Sequence, residues 1–254
     1  MISPSAPYWI GFQRTKRIGP IRLQRLVERF GSIETAWNAP ISELRAVLDE
    51  SSLESLSSIR RSFDPVAEVE RVERLGISIT TLDSPDFPVL LREIPTPPAV
   101  LYYKGTLLEE DIRAVAMVGT RHCTPYGRQM AFSIGRDLAS AGVTVVSGLA
   151  LGIDGQAHRG ALDGGGRTLA VLGSGVDQIY PPSHRELAER IVENGAIMSD
   201  YPPGTKPDAR NFPPRNRIIA GLSRGIVVVE APNRSGALIT VDFAADGVTA
   251  GSGI

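Results

Sequence analysis

One cysteine, Cys123, stands in 254 residues. It excludes an internal disulfide framework and fits a reducing cytoplasm. Excess charge is lacking too: 27 Lys and Arg against 28 Asp and Glu leave a net charge of −1. Any nucleic-acid site must therefore be a local patch rather than a global cationic field. No apolar run approaches the roughly 18 residues that a membrane helix needs. The opening MISPSAPYWIGFQRTKR lacks the charged start and apolar core of a signal peptide. His122, Cys123, His158 and His184 do not have metal-ligand spacing, and no nucleophile sits at a recognisable elbow. No metal, cofactor or catalytic residue is expected.

What is there is an ordinary globular composition, 42% hydrophobic and 22% charged. The chain is organised around residues 118–162. The apolar run Arg113-Ala-Val-Ala-Met-Val118 ends abruptly in Gly119-Thr120-Arg121, as a buried parallel strand feeds a turn. Ala131, Ile134, Leu138 and Ala141 then repeat at helical spacing, and Gly142 stops the helix. A second strand, 143–147, ends in the small-residue turn Ser147-Gly148-Leu149-Ala150. Strands over 167–172, 196–199 and 225–230 alternate with helices over about 183–194, 215–222 and 237–245, with Ser183 and Glu186 at capping-box spacing. This alternation predicts an α/β fold: a doubly wound, mostly parallel, Rossmann-like sheet.

Upstream, residues 1–70 read as a small all-α domain, with residues 71–254 forming the sheet domain. Leu23, Leu26, Val27 and Phe30 form one apolar stripe, preceded by the turn Ile18-Gly19-Pro20 and closed by Gly31. Helix, Ile-Gly-Pro turn, helix resembles a helix-hairpin-helix or SAM-like module, which suits either a nucleic-acid backbone or protein packing.

Four stretches carry chemistry. Gly119 permits close backbone approach, Thr120 offers a hydroxyl and Arg121 a phosphate-matching fork, unless the turn is plain and Arg121 merely superficial. Asp154 and His158 lie one helical turn apart, and a cap plus a hydrogen-bonded histidine is preferred there over acid–base catalysis. The stretch 201–217 sets Lys206, Arg210, Arg215 and Arg217 against Asp208, with Phe212 among them. Cations interleaved with an aromatic in a loop suit single-stranded nucleic acid, whose bases stack while its phosphates follow the cations. The alternative is a ring that plugs the sheet edge beside solvated arginines. Finally Glu230, Ser235 and Gly236 form a strand–turn–helix start, an anion cradle or an ordinary cap. The carboxyl-end rule brings these turns, Ser147 and Gly148 included, to one edge of the sheet. Glu230 after an apolar strand also admits another class, a nucleotide-binding or nucleotide-cleaving enzyme.

VGTR (118–121), SGLALGIDGQAHRGAL (147–162), GSGVDQIYPPSH (173–184), PPGTKP (202–207), FPPRNRIIAGLS (212–223) and VVVEAPNRSGALIT (227–240) together resemble the DNA processing protein A (DprA/Smf) family, in its order. The resemblance implies an extended Rossmann-like fold that binds single-stranded DNA, dimerises, and helps load RecA recombinase during natural transformation, without catalysis. It implies a phosphate-gripping turn at Gly119, Thr120 and Arg121, with Lys206, Phe212, Arg215, Asn216 and Arg217 completing the DNA pocket. After Ala245 the family continues with a glycine–arginine turn, a strand and a Val-Pro-Gly stretch, often followed by a winged helix. This sequence instead reads Asp246-Gly-Val-Thr-Ala-Gly-Ser-Gly-Ile254, an end that looks truncated or altered where dimer and RecA contacts are expected.

Overall fold

The computed structural model describes residues 2–232 and 236–251, with side chains to 243. By internal contacts the chain divides into two units, one of residues 1–87 with 96–101, the other of 88–95 with 102–254. The first unit thus holds more than the helices expected over residues 1–70.

Its helices are α1 (Ala6–Gln13), α2 (Pro20–Phe30), α3 (Ile33–Asn38), α4 (Ile41–Leu44), α5 (Glu50–Ser62) and α6 (Pro65–Arg74). The Ile18-Gly19-Pro20 turn joins α1 to α2, and Pro20 occupies the first turn, where its missing N–H costs nothing. Of the expected stripe, Leu23 and Leu26 are buried while Val27 and Phe30 are half-buried. Trp37 of α3 packs edge-on against Phe12 of α1 with ring centroids 5.3 Å apart. Strand β1 (Ser78–Thr81) belongs here because Ile77, Ile79 and Phe87 are buried and Leu82 N–H donates to Ala99 O at 3.0 Å.

The second unit carries most of the sheet: β2 (Val100–Gly105, from Tyr102), β3 (Ala114–Val118), β4 (Thr144–Ser147), β5 (Thr168–Val171), β6 (Gly195–Ser199) and β7 (Gly225–Val228). The strand order is β1-β2-β6-β5-β4-β3-β7. All neighbours from β6 to β7 are parallel, whereas β2 meets β6 antiparallel, Tyr102 opposite Ser199. The helices between strands are α7 (Val89–Arg92), α8 (Pro125–Ser140), α9 (Ile153–Asp163), α10 (Arg185–Asn194) and α11 (Phe212–Gly221), and α12 (Gly236–Gly251) follows β7. The result is the doubly wound, mostly parallel α/β fold expected. Its core under α8 and α9 is Met117, Ala131, Ala139, Val145, Ile153, Ala157 and Ala161, and the four alanines let the two helices lie close over β3 and β4.

The chain winds outward from β3 through β4 and β5 to β6, then returns so that β7 lies on the other side of β3. That reversal is a topological switch point, and the carboxyl ends of β3 and β7 diverge around a crevice there. Two local expectations change. Helix α11 starts at Phe212 rather than near 215, because Pro213 and Pro214 are tolerated in a first turn that needs no N–H donors. Helix α10 has no capping box at Ser183: a 3-10 turn, Pro182–His184, precedes Arg185, and the N-cap residue is His184 with no side-chain cap bond.

The turns after β3 and β4 are in direct contact. Gly119 has no room for a Cβ, which would lie 2.5 Å from Ile153 Cγ1 and 2.8 Å from Glu230 O. Gly152 takes φ +78° and a Cβ there would strike Thr120 O. Gly152→Ala therefore combines a glycine-only backbone with a backbone clash, and at least about 1–3 kcal/mol of stability should be lost. Urea unfolding checks this; an unchanged midpoint would mean that the two turns do not touch.

Candidate nucleic-acid interface

A cleft of about 600 Å³ opens at the switch point. Of the expected residues, Gly119, Thr120, Arg121, Phe212, Arg215, Asn216 and Gly236 line it. At its centre is the Phe212 ring. Tyr180 faces it with centroids 6.0 Å apart and planes tilted by 32°. The guanidinium carbons of Arg121 and Arg215 lie 5.2 and 5.9 Å from the ring centroid, within cation–π range. Arg121 is exposed and makes no ion pair among the described residues. It is the cation left available in the cleft.

Arg215 has a different environment. It is 5% exposed, and its Nη1 donates to Gly148 O at 3.0 Å and also to Val171 O. Asp154 accepts from the N–H groups of Gly148 at 3.2 Å and Ala150 at 3.4 Å. The Gly148 peptide is thus held on both sides, its carbonyl by Arg215 and its N–H by Asp154. Burial lowers Arg215 to about 10, opposed mainly by the Asp154 charge, so it stays protonated at neutral pH. Burial raises the Asp154 carboxyl against the pull of Arg215 and the two N–H donors. These bonds hold a loop in which Leu149, fully buried, adopts φ +57°, unusual for leucine.

Several expected contacts are spent inside the protein. Ser147 is fully buried and donates to Met117 O at 2.6 Å, which takes it out of the cleft. The Gly148 N–H is committed to Asp154 and offers nothing to an outside anion. Arg217 pairs with Asp200 at 2.7 Å, both side chains largely covered, and does not line the cleft. Arg210 is exposed outside the cleft, paired with Asp208 at 2.7 Å. Lys206 is exposed next to Pro207, which does line it. Ser235 lies outside the described residues. Asn216 donates to Gly236 O at 3.0 Å, tying α11 to the first residue of α12.

Glu230 also has a structural position. Its carboxylate accepts from Thr124 N–H at 3.1 Å and Thr124 Oγ1 at 2.8 Å, and Thr124 caps α8 through Gly127 N–H. An internal carboxylate therefore occupies the N-terminus of α8, a position whose dipole can otherwise receive a phosphate. The backbone N–H of Thr120 is likewise taken, by Glu230 O at 2.7 Å. The side chains the 119–121 turn offers a ligand are the Arg121 guanidinium and the Thr120 hydroxyl, whose oxygen already accepts from His122 N–H at 3.2 Å.

Tyr180 is the cleft residue missed by sequence reasoning. Its signal was the one that picked out Phe212, an aromatic in a proline-bounded segment after a strand. His158 is hydrogen-bonded as expected, but Asp154 is not the expected cap: α9 begins at Ile153 with no side-chain cap, and the carboxylate accepts from Gly148 and Ala150 N–H instead. His158 is fully buried, and its Nδ1 lies 2.7 Å from Thr168 Oγ1, whose own hydrogen goes to Val145 O. Nδ1 is therefore the donor.

Two predictions follow from burial. Arg215→Ala leaves the Gly148 and Val171 carbonyls without their guanidinium donor, at about 1–3 kcal/mol for each. Arg121→Ala, at an exposed site, should stay within about 0.5 kcal/mol of wild type; equal urea midpoints for the two variants would contradict this division. For His158, burial lowers the imidazole to about 3, helped by the charges of His184, Arg159 and Arg215. The unfolded chain titrates near ~6.5, so it binds the proton first as the pH drops. This contribution is complete above about pH 6.5 and is lost as pH falls toward 3, with a slope of at most about 1.4 kcal/mol per pH unit. His158→Gln should flatten the stability profile between these limits; parallel profiles would refute the assignment.

Comparisons with known proteins identify the family. The family model described as DNA recombination-mediator protein A matches residues 78–248. Protein Smf of Synechocystis sp. is 44% identical over 250 residues, which is 96% of this chain and 63% of that protein. DNA processing protein DprA of Bacillus subtilis is 42% identical over 167 residues, 65% of this chain and 56% of that one. The chain thus spans about six tenths of the length of these curated relatives. The X-ray structure of DNA processing protein A from Streptococcus pneumoniae superposes with a TM-score of 0.84 at 30% identity, covering 95% of this chain and 84% of that one. A structure concerned with the single-stranded DNA binding mode of DNA processing protein A from Helicobacter pylori gives 0.60 at 30% identity, covering 67% and 78%. Among the described residues no helix is long and apolar enough to cross a membrane. The chain belongs to the DprA/Smf family of DNA recombination-mediator proteins.

Proposed function

We propose that the chain binds single-stranded DNA in the Phe212 cleft and acts as a recombination mediator, protecting the strand and helping to load a RecA recombinase during natural transformation. Its partners on this reading are single-stranded DNA, RecA and a second copy of the chain, in the cytoplasm. It acts by binding, with no chemical step of its own.

The observation that carries the reading is the cluster at Phe212: a ring beside Tyr180 and within reach of two guanidinium groups, in an open cleft. An unpaired base has a free π-face to lay on such a platform, whereas a base inside a duplex is already stacked on both sides. Arg121 is placed to meet the adjoining phosphate, with Thr120, Asn216 and Gly236 lining the same cleft. Lys206, exposed on the approach to α11, adds positive charge beside the cleft, whereas Arg210 is offset by its pair with Asp208. Arg215 and Arg217 act from beneath, by holding the loops that shape the platform. The name of the Helicobacter pylori structure, which concerns single-stranded DNA binding, supports the same ligand. The nucleotide-cleaving alternative is weakened by Glu230, whose carboxylate is engaged by Thr124 and does not line the cleft.

Fluorescence anisotropy with labelled oligothymidylate, single-stranded against duplex, tests this across a salt series. Wild type should prefer the single strand, with log K falling against log salt by about 0.7 for each phosphate neutralised. Phe212→Ala should weaken binding by about 1–3 kcal/mol per stacked base lost, with little change in slope. Arg121→Ala should weaken it with a shallower slope. Preference for duplex, or indifference to both substitutions, would overturn the reading.

A further inference from the structure

Beside the Phe212 cleft, and sharing Arg121 with it, lies a second hollow of about 280 Å³. It is lined by Arg121, Arg128, Leu151, Gly152, Gln156, Arg159 and His184. Arg128 comes from the first turns of α8, Gln156 and Arg159 from α9, and Leu151 from the loop between β4 and α9. No carboxylate lines the hollow, and Arg121, Arg128 and Arg159 form no ion pair among the described residues. Other arginines of this unit do have an acidic partner, as Arg167 has Asp111 at 2.9 Å and Arg217 has Asp200 at 2.7 Å. Arg159 is half-buried, and its Nη1 donates to Gly155 O at 3.2 Å, so the side chain is fixed at the hollow's wall. Burial and the charges of Arg190 and Arg128 lower its pKa, with Glu186 acting in the opposite sense.

Like charges converging on an uncompensated concavity repel one another unless an anion bridges them. A guanidinium offers donors in a planar fork that matches two phosphate oxygens. The hollow also has a direction. A small third concavity, lined by Arg121, Ala150, Leu151, Tyr180 and Phe212 among others, adjoins both. Arg121 lines all three, and Leu151, 45% exposed, borders the last two. The surface from the Phe212 platform to Arg159 is therefore continuous, with Arg121 along it and Leu151 on its middle stretch.

We propose that this hollow is a second phosphate subsite, in which Arg128 and Arg159, with Arg121, hold a phosphodiester of the same single strand beyond the base stacked at Phe212. The inference rests on the single-strand reading above and deepens it. The strand leaves the platform at Arg121, passes over Leu151, and enters the groove between α8 and α9. Arg121 then serves both subsites as the hinge of the path, which fixes a minimum strand length for full affinity.

The test is a ladder of labelled oligothymidylates, from the dinucleotide upward, against wild type, Arg128→Ala, and Arg128→Ala combined with Arg159→Gln. Wild type should gain affinity and salt dependence in a step as the strand becomes long enough to reach the hollow. The double variant should lose that step, its salt slope falling by about 0.7 for each phosphate released. Arg128 is exposed, so the single variant gives a smaller loss without risk to the fold, and thermal melts confirm folding of both. If wild type binds through Phe212 but the variants keep the full step, the subsite is overturned and the platform stands. If wild type binds no single strand, both fall. Strands with and without a 5′-phosphate, and competition by inorganic phosphate, separate the sources: a step seen only with the terminal phosphate, or erased by orthophosphate alone, overturns the continuing-strand proposal.

Discussion

The cleft depends on one buried cation. Arg215 reaches from α11 to the carbonyls of Gly148, after β4, and Val171, at the end of β5. A guanidinium has enough donors to hold two carbonyls at once, and lysine, a point charge, cannot reproduce that fork. The charge is tolerated in a dry place because Asp154 lies near enough to offset part of the desolvation. With Arg215 in place, the loop that carries Leu149 in a left-handed conformation is fixed. The neighbouring first turn of α11 then sets the Phe212 ring where Tyr180 and Arg121 meet it. Positioning of the half-buried Phe212 ring thus follows from satisfying buried backbone carbonyls.

A second constraint explains why the platform rather than a helix end is the recognition element. In many doubly wound folds the helix after the first parallel strand receives the ligand phosphate. Here Glu230 supplies the negative charge at that position from the end of the neighbouring strand. The bond ties the two sides of the switch point together, so the crevice is held open by protein rather than closed around a ligand. With the Thr124, Gly127 and Gly148 N–H groups already engaged by protein oxygens, the Arg121 side chain is the available cation for an anion in the cleft. Arginines on mobile stems suit a flexible polymer better than a fixed ring of N–H groups, which suits a compact nucleotide.

Much of this was legible in the sequence. Each central parallel strand is a short apolar run cut off by a glycine or small-residue turn, so the alternation and its carboxyl-end turns could be read directly. The gathering of Gly119, Arg121 and Phe212 followed from the same rule. The fate of individual polar groups was not legible. Lys206, Arg210, Arg215 and Arg217 look alike as a run of cations, yet Arg215 is a buried clamp and Arg217 an ion-pair partner. The distinction comes from where α11 begins. Once Phe212 opens the helix, Arg215, Ile218 and Ile219 fall on one inward face at helical spacing. Reading Pro213 and Pro214 as loop hid that start. Ser147 and Gly148 failed for a related reason: a turn at a strand's end presents its polar groups to whichever neighbour needs them, and Met117 O and Asp154 lie closer than solvent.

The distribution of charge completes the argument. A chain with net charge −1 cannot hold a polyanion by its overall field. Selectivity must then come from short-range geometry, with Arg121, which makes no ion pair among the described residues, set beside one aromatic platform. Duplex DNA, stiff and with its bases stacked away, can reach such cations through its phosphates but cannot use the platform. A single strand can bend to satisfy both. On the proposed reading, discrimination is therefore a property of spacing: the ring must lie close enough to Arg121 that one nucleotide meets both, and the 5.2 Å between the Arg121 guanidinium and the Phe212 ring meets that condition.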